Sequence, residues 1–216
     1  MRIGAYGGTF DPIHCGHVEV AREAARRFEL DRLLIIPAHR PPHKDPSSVS
    51  NTYHRYAMAV LGMLEDEYAT VSTVEVEAPD SPYTFETVER LRAAFEPRDT
   101  FFFIMGADSF EELMSWREPE RILQGCNLIV AARPGYDVAT SHLPVTISTR
   151  VVDLRGRGGE AAKTTAPRGE IYLTDYVIKD ISSTEIRKRA REGGDIEGLV
   201  PPLVANYISR YGVYRR

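Results

Sequence analysis

Short apolar runs bounded by turn residues punctuate the first two thirds of the chain: Arg2 to Tyr6, Arg32 to Pro37, Thr70 to Val76, Thr100 to Met105 and Asn127 to Ala132. The stretches LLII, FFFIM and LIVAA are nearly continuous rather than alternating, the pattern of strands covered on both faces of a sheet. Between them the apolar period lengthens to that of helices. Val18, Ala21, Ala25 and Phe28 share one face, and Phe85, Val88, Leu91 and Phe95 another. Tyr53, Tyr56, Val60 and Leu64 are expected to form the buried stripe of a further helix. This alternation predicts an α/β fold, a doubly wound parallel sheet built from βαβ units. In such sheets ligands bind beyond the carboxyl ends of the strands, which directs attention to the loops after Tyr6, Pro37, Val76 and Met105.

Farther along the pattern thins. From about Arg150 to Arg168 the chain is rich in glycine and charge without periodicity, and is expected to be a mobile loop or hairpin tip. A strand from Glu170 to Tyr176 is predicted next, then two short helices, one beginning at Ser182 and one near Pro201 that ends before Gly212. No internal repeat or linker divides the sequence. Residues 1–216 are therefore read as a single domain: a nucleotide-binding core over 1–150, the loop over 151–169, and a C-terminal strand with a small helical part over 170–216.

Composition narrows the partners. With 216 residues, 43% of them hydrophobic, the chain can bury a substantial core as one large domain. It carries no apolar run long enough for a membrane span, and MRIGAYGGTFDP lacks the apolar centre of a signal peptide, so no membrane partner is expected. Cys15 and Cys126 form neither a CxxC pair nor a disulfide framework, which points to a reducing, cytoplasmic setting. A formal net charge of -4 argues against nucleic acid, leaving only the basic stretch Arg155 to Arg168 on the other side of that balance. Any polyanion must be held by a local concentration of positive groups.

Two segments carry the chemistry. The first, Gly7-Gly8-Thr9-Phe10-Asp11-Pro12-Ile13-His14-Cys15-Gly16-His17, lies between a strand and a helix. It is neither GxGxxG nor a P-loop, but its glycines allow close backbone approach and its helix start offers amides to a phosphate. A single histidine here would be read as a helix cap. Two histidines flanking a glycine are read instead as a pair aimed at one anion. No carboxylate or cysteine joins them at zinc-ligand spacing, Cys15 pointing elsewhere on the helix, so no protein metal site is expected. The second segment is Ile181-Ser182-Ser183-Thr184-Glu185-Ile186-Arg187. Ser182 and Glu185 have capping-box spacing. The remaining hydroxyls, the first-turn amides and Arg187, one turn on, make a second phosphate clamp.

GGTFDPIHCGH together with ISSTEIR resembles the (T/H)xGH nucleotidyltransferase superfamily. The intervening PPHK (41–44), SPYTFETV (81–88), GADSFEELMSWRE (106–118) and ARPGY (132–136) resemble the bacterial nicotinate-nucleotide adenylyltransferases, in order and over nearly the whole chain. The resemblance implies a Rossmann-like nucleotidyltransferase fold and transfer of AMP from ATP, with Mg2+, to nicotinate mononucleotide. It implies that His14, His17, Lys44 and Arg187 are catalytic. It places ATP against Gly8, Thr9, Phe10, His14, His17, Gly106, Asp108, Ser182, Ser183, Thr184 and Arg187. The acceptor falls to Gly7, His43, Lys44, Tyr83, Thr84, Trp116, Arg117 and Arg133, with the pyridine ring on Trp116. For Trp116 a core position, for Asp108 a helix N-cap, and for Arg133 a merely solvated side chain stand beside these roles. Within enzymes the alternative acceptors are nicotinamide mononucleotide and phosphopantetheine; outside them, a nucleotide-binding module without catalysis. The sequence leaves a homo-oligomer open.

Overall fold

The structure is a computed structural model that describes residues 1–39, 49–80, 82–132, 135–157, 162, 164, 166–175, 179 and 181–215. Seven strands form one sheet: β1 (Arg2–Gly8), β2 (Arg32–Pro37), β3 (Ala69–Val71), β4 (Thr100–Gly106), β5 (Asn127–Ala131), β6 (Val151–Asp153) and β7 (Ile171–Thr174), in the order β3-β2-β1-β4-β5-β7-β6. Every neighbouring pair is parallel. The chain therefore winds outward from β1 to β3, returns to β4 on the other flank of β1, and winds outward again. The reversal between β1 and β4 opens a crevice at their carboxyl ends.

Both faces are covered, as the continuous apolar strands require. Leu33, Ile35, Phe102, Ile104 and Ile129 point to one face, where α1 (Cys15–Arg27), α2 (Thr52–Gly62), α7 (Ser183–Arg191) and α8 (Pro202–Tyr211) pack. Leu34, Ile36, Phe101, Phe103, Leu128 and Val130 point to the other, beneath α3 (Thr84–Ala93), α4 (Ala107–Glu111), α5 (Pro119–Gly125) and α6 (Val145–Ser148). Helix α8 ends where expected, at a left-handed Gly212 with φ 57°.

Three expectations are corrected. The strand expected over Thr70 to Val76 stops at Val71, because the Ser72 hydroxyl accepts from Val74 N and bends the chain away, while Glu75 turns inward to Thr87 Oγ1 and His39 N. On α2 the buried face is Arg55, Met58, Ala59 and Gly62, not the tyrosine stripe: Tyr53 is 72% and Leu64 62% exposed. Apolarity misplaced that face because the buried side includes a fully hydrogen-bonded arginine and a glycine packed on Ile13. The segment expected to be a loop from 151 opens with β6, and β6 runs parallel to β7, which no hairpin tip permits. Beyond β6, Ala162 N donates to Arg27 O, Arg2 donates to Thr164 Oγ1, and Asn127 donates to Ala166 O, so the described residues of this stretch are tied to the body of the fold.

Candidate active site

The loop after β1 ends in an unusual helix start. His14 is the N-cap of α1 and His17 the third helical residue. The His14 Nδ1 accepts from His17 N at 3.3 Å, and the His17 Nδ1 accepts from His14 N at 3.2 Å. This is a capping box in which imidazoles replace the usual hydroxyl and carboxylate. The cap reading set aside in the sequence is thus realised twice over, and it aligns the rings: they stack with centroids 3.6 Å apart and planes 22° from parallel. With each Nδ1 acting as acceptor, the proton of a neutral ring resides on Nε2, the atom remote from the backbone. His14 is 7% exposed, and burial lowers its pKa from 6.5 to about 4, a backbone hydrogen bond opposing. It is therefore neutral at physiological pH, which removes charge repulsion between the stacked rings. Gly16 makes room for this arrangement, since a Cβ there would sit 3.2 Å from the His14 ring and 3.4 Å from the Lys179 carbonyl.

His14 and His17 line a cleft of about 430 Å3 at the sheet reversal, together with Tyr6, Gly106, Asp108 and Ala131 among others. Lys179, exposed, and Tyr136 complete its rim. At Gly106 a Cβ would meet no atom within 4 Å, so the space in front of it is open to a ligand. Gly106, not Asp108, is the N-cap of α4; Asp108 stands exposed in the first turn. Phe10, expected near ATP, has its ring in the core, 1% exposed and edge-on to both Tyr6 and His17 at centroid distances of 5.4 and 5.1 Å. Only its backbone can face a ligand. Gly7 and Gly8 continue β1 in this loop, and Thr9 gives its carbonyl to Arg55.

The second segment docks on the first. Ser183 Oγ donates to Pro12 O at 3.1 Å, and Arg187 donates to Asp11 O at 2.8 Å and to Thr184 Oγ1 at 3.1 Å. The N-terminus of α7 is thereby fixed against the loop that presents the histidines. The expected Ser182–Glu185 capping box does not form: Ser182 is the N-cap without a side-chain cap bond, and Glu185 pairs with Arg189 at 2.8 Å. The i,i+4 charge pair outcompetes the cap for the same carboxylate.

The acceptor residues gather elsewhere. Thr84 opens α3, its N-cap is Tyr83, and Glu86 accepts from Tyr83 N. The Arg117 guanidinium lies 4.9 Å from the centre of the Tyr83 ring, joining the two segments by a cation–π contact. Trp116 packs partly on the second core, and its buried indole N–H has no hydrogen-bond partner among the described residues. None of these four lines the cleft of the histidines. His43, Lys44 and Arg133 lie outside the described residues. Several groups around the site were not singled out from sequence: Lys179, Tyr136, Asp11, Arg55 and Tyr214. Asp11 and Arg55 carried a signal in principle, a charge within an otherwise apolar or turn motif; Tyr214 carried none.

The parallel sheet carries a stacked histidine pair at its reversal point, and the class of the protein is that of the nucleotidyltransferases. The cytidylyltransferase-like family model matches residues 5–189. A protein of Thermus thermophilus named "Probable nicotinate-nucleotide adenylyltransferase" is 38% identical over 215 residues, covering 100% of both chains. One of Geobacter sulfurreducens with the same name is 39% identical over 99% of this chain and 98% of its own. The fold is shared with Plasmodium falciparum nicotinic acid mononucleotide adenylyltransferase complexed with NaAD, at a TM-score of 0.72 and 20% identity over 99% of this chain and 97% of that one. The chain belongs to the nicotinate-nucleotide adenylyltransferase family within the cytidylyltransferase-like group.

Proposed function

We propose that the protein transfers AMP from MgATP to nicotinate mononucleotide, forming nicotinate adenine dinucleotide and pyrophosphate. The observation that carries this is the stacked His14–His17 pair on the start of α1, facing the cleft at the sheet reversal. An oxygen of the mononucleotide phosphate attacks the α-phosphorus of ATP in line, a P–O bond forms, and the α–β bridging bond breaks with its electron pair leaving on pyrophosphate. No protein nucleophile is required. Catalysis is positioning and neutralisation of charge on the transferring group and the leaving pyrophosphate.

In this reading His17 stands nearest the α-phosphate and His14 donates its Nε2–H as a neutral hydrogen-bond donor. Arg187, Ser182, Ser183 and Thr184 hold the β- and γ-phosphates at the α7 start, and Lys44 and His43 add positive charge. Thr84 and the Arg117 backbone receive the acceptor carboxylate, and Trp116 its ring. Asp108 accepts from ribose hydroxyls.

Magnesium enters with ATP as part of the substrate. Asp108 contributes a carboxylate to the cleft, and an ion that enters with ATP is held chiefly by phosphate oxygens and water. The described residues include no helix long and apolar enough to cross a membrane. Two unpaired cysteines support a cytoplasmic setting.

The test is pyrophosphate release with ATP and a panel of mononucleotides. Nicotinate mononucleotide is expected to give the highest kcat/KM. A preference for the amide, or turnover with phosphopantetheine alone, would overturn the choice of acceptor.

A further inference from the structure

A buried guanidinium is bonded to the loop after β1. Arg55, on the inner face of α2, is 1% exposed. Its guanidinium donates to the backbone carbonyls of three separate segments: Thr9 at 2.9 Å, His39 at 3.0 Å and Ser50 at 3.1 Å. A further bond reaches Thr52 Oγ1 at 3.0 Å, and that hydroxyl itself donates to His39 O. Thr9 belongs to the loop that presents His14 and His17. His39 and Ser50 lie on either side of residues 40–48, the stretch that contains His43 and Lys44.

Asp11 supports the same junction. Its carboxylate, 2% exposed, accepts from Ser50 N at 3.1 Å and from the Tyr214 hydroxyl at 2.9 Å, while its carbonyl accepts from Arg187 at 2.8 Å. Burial weakens Arg55's hold on its proton, and the field of Asp11 is the foremost of those restoring it. A planar fork with several fixed donors can serve three carbonyls at once, as a lysine ammonium on its flexible stem does not. Burying a charge in this way is costly unless every donor is used, which makes it a poor choice for stability alone.

We propose that Arg55 is a positioning residue for adenylyl transfer: by joining the carbonyls of Thr9, His39 and Ser50, and backed by Asp11 and Tyr214, it fixes the loop that presents His14 and His17 against the body of the fold. This inference rests on the proposed function, since the histidine loop meets the reacting phosphates only in that reading. The consequence is a specific kinetic signature. Displacing the histidine loop by about 1 Å costs on the order of 100-fold in the chemical step, with substrate contacts largely kept.

The experiment compares wild type, Arg55→Lys and Tyr214→Phe, each normalised to the number of ATP-binding molecules counted by calorimetry. Arg55→Lys keeps the charge but serves fewer carbonyls; its kcat is expected to fall about 100-fold while KM for either substrate moves less than about threefold. Tyr214→Phe keeps the ring and removes one hydrogen bond from Asp11, so it remains folded even where the arginine variant does not; its kcat is expected to fall about 10-fold with KM equally steady. A wild-type kcat per ATP-binding molecule in Tyr214→Phe, or in a folded Arg55→Lys, overturns the positioning role. Activity that declines only in step with the count of ATP-binding molecules overturns it too, because that is the behaviour of a purely structural arginine. A wild-type protein that releases no pyrophosphate with any mononucleotide overturns the function itself, and this inference with it.

Discussion

His14 does two things with one ring. Its Nδ1 closes the first turn of α1, and in the proposed reaction its Nε2 carries the proton offered to ATP. Asparagine is also a strong N-cap. His14→Asn is therefore expected to keep the helix, visible as an unchanged circular dichroism spectrum, while lowering kcat by about 100-fold or more through loss of the donor. The depressed pKa gives a second signature. An unfolded chain takes up the proton at about pH 6.5, whereas the native ring resists it until about pH 4. Stability from this group is fully present above the upper value and declines as pH falls through the window, by about 3 kcal/mol in all. Subtracting the stability-against-pH curve of His14→Asn from that of wild type should leave a slope confined to that window; a flat difference would mean the ring is not held neutral. His17→Ala should lower turnover by orders of magnitude with little loss of folding.

At the level of elements, α7 and the loop after β1 behave as one unit, because Arg187 and Ser183 bond to the carbonyls of Asp11 and Pro12. Arg187→Gln is expected to raise the KM for ATP at least 10-fold and to lower kcat, since it loosens the loop as well as the clamp. Trp116→Ala should raise the KM for nicotinate mononucleotide about 10-fold and leave that for ATP nearly unchanged. The reverse pattern in steady-state kinetics would reassign the indole to the core it partly packs on. Elements also show how far sequence reasoning reaches. The strands β2, β4 and β5 were legible because an unbroken apolar run has one economical fate in a doubly covered sheet. The face of α2 was not, because its inward side is defined by Arg55, two of whose carbonyl partners, Thr9 and His39, lie 46 and 16 residues away. The Ser182–Glu185 box failed for a similar reason: local spacing allowed the cap, but Arg189 offered the carboxylate a better partner.

Across the whole molecule the site is drawn from both ends of the chain. The histidine pair could be singled out because it is contiguous in sequence, and so could the start of α7, though its bonds to Asp11 and Pro12 could not. The tie between Asp11 and Tyr214, buried at 2% and 6% exposure, was not, since nothing in either residue's neighbourhood points to the other. Removing residues 213–216 is expected to cost about 1–3 kcal/mol by leaving a buried carboxylate short of a donor. A fall in Tm together with a lower kcat per folded molecule would show that the C-terminal segment serves the site; a fall in Tm alone would limit it to the fold.

The position of β7 between β5 and β6 has a bearing on how the chain comes to be made. Synthesis delivers β6 before the strand it must pair with, so Val151–Asp153 have no sheet edge to join until residues 171–174 emerge. The α7 segment and Tyr214 come later still. A nascent chain held on the ribosome can assemble β1 to β5 and even stack its two histidines, yet it lacks the groups that brace the loop beneath them. Enzymatic competence on this account waits for the α7 segment and Tyr214, and follows the assembly of most of the core.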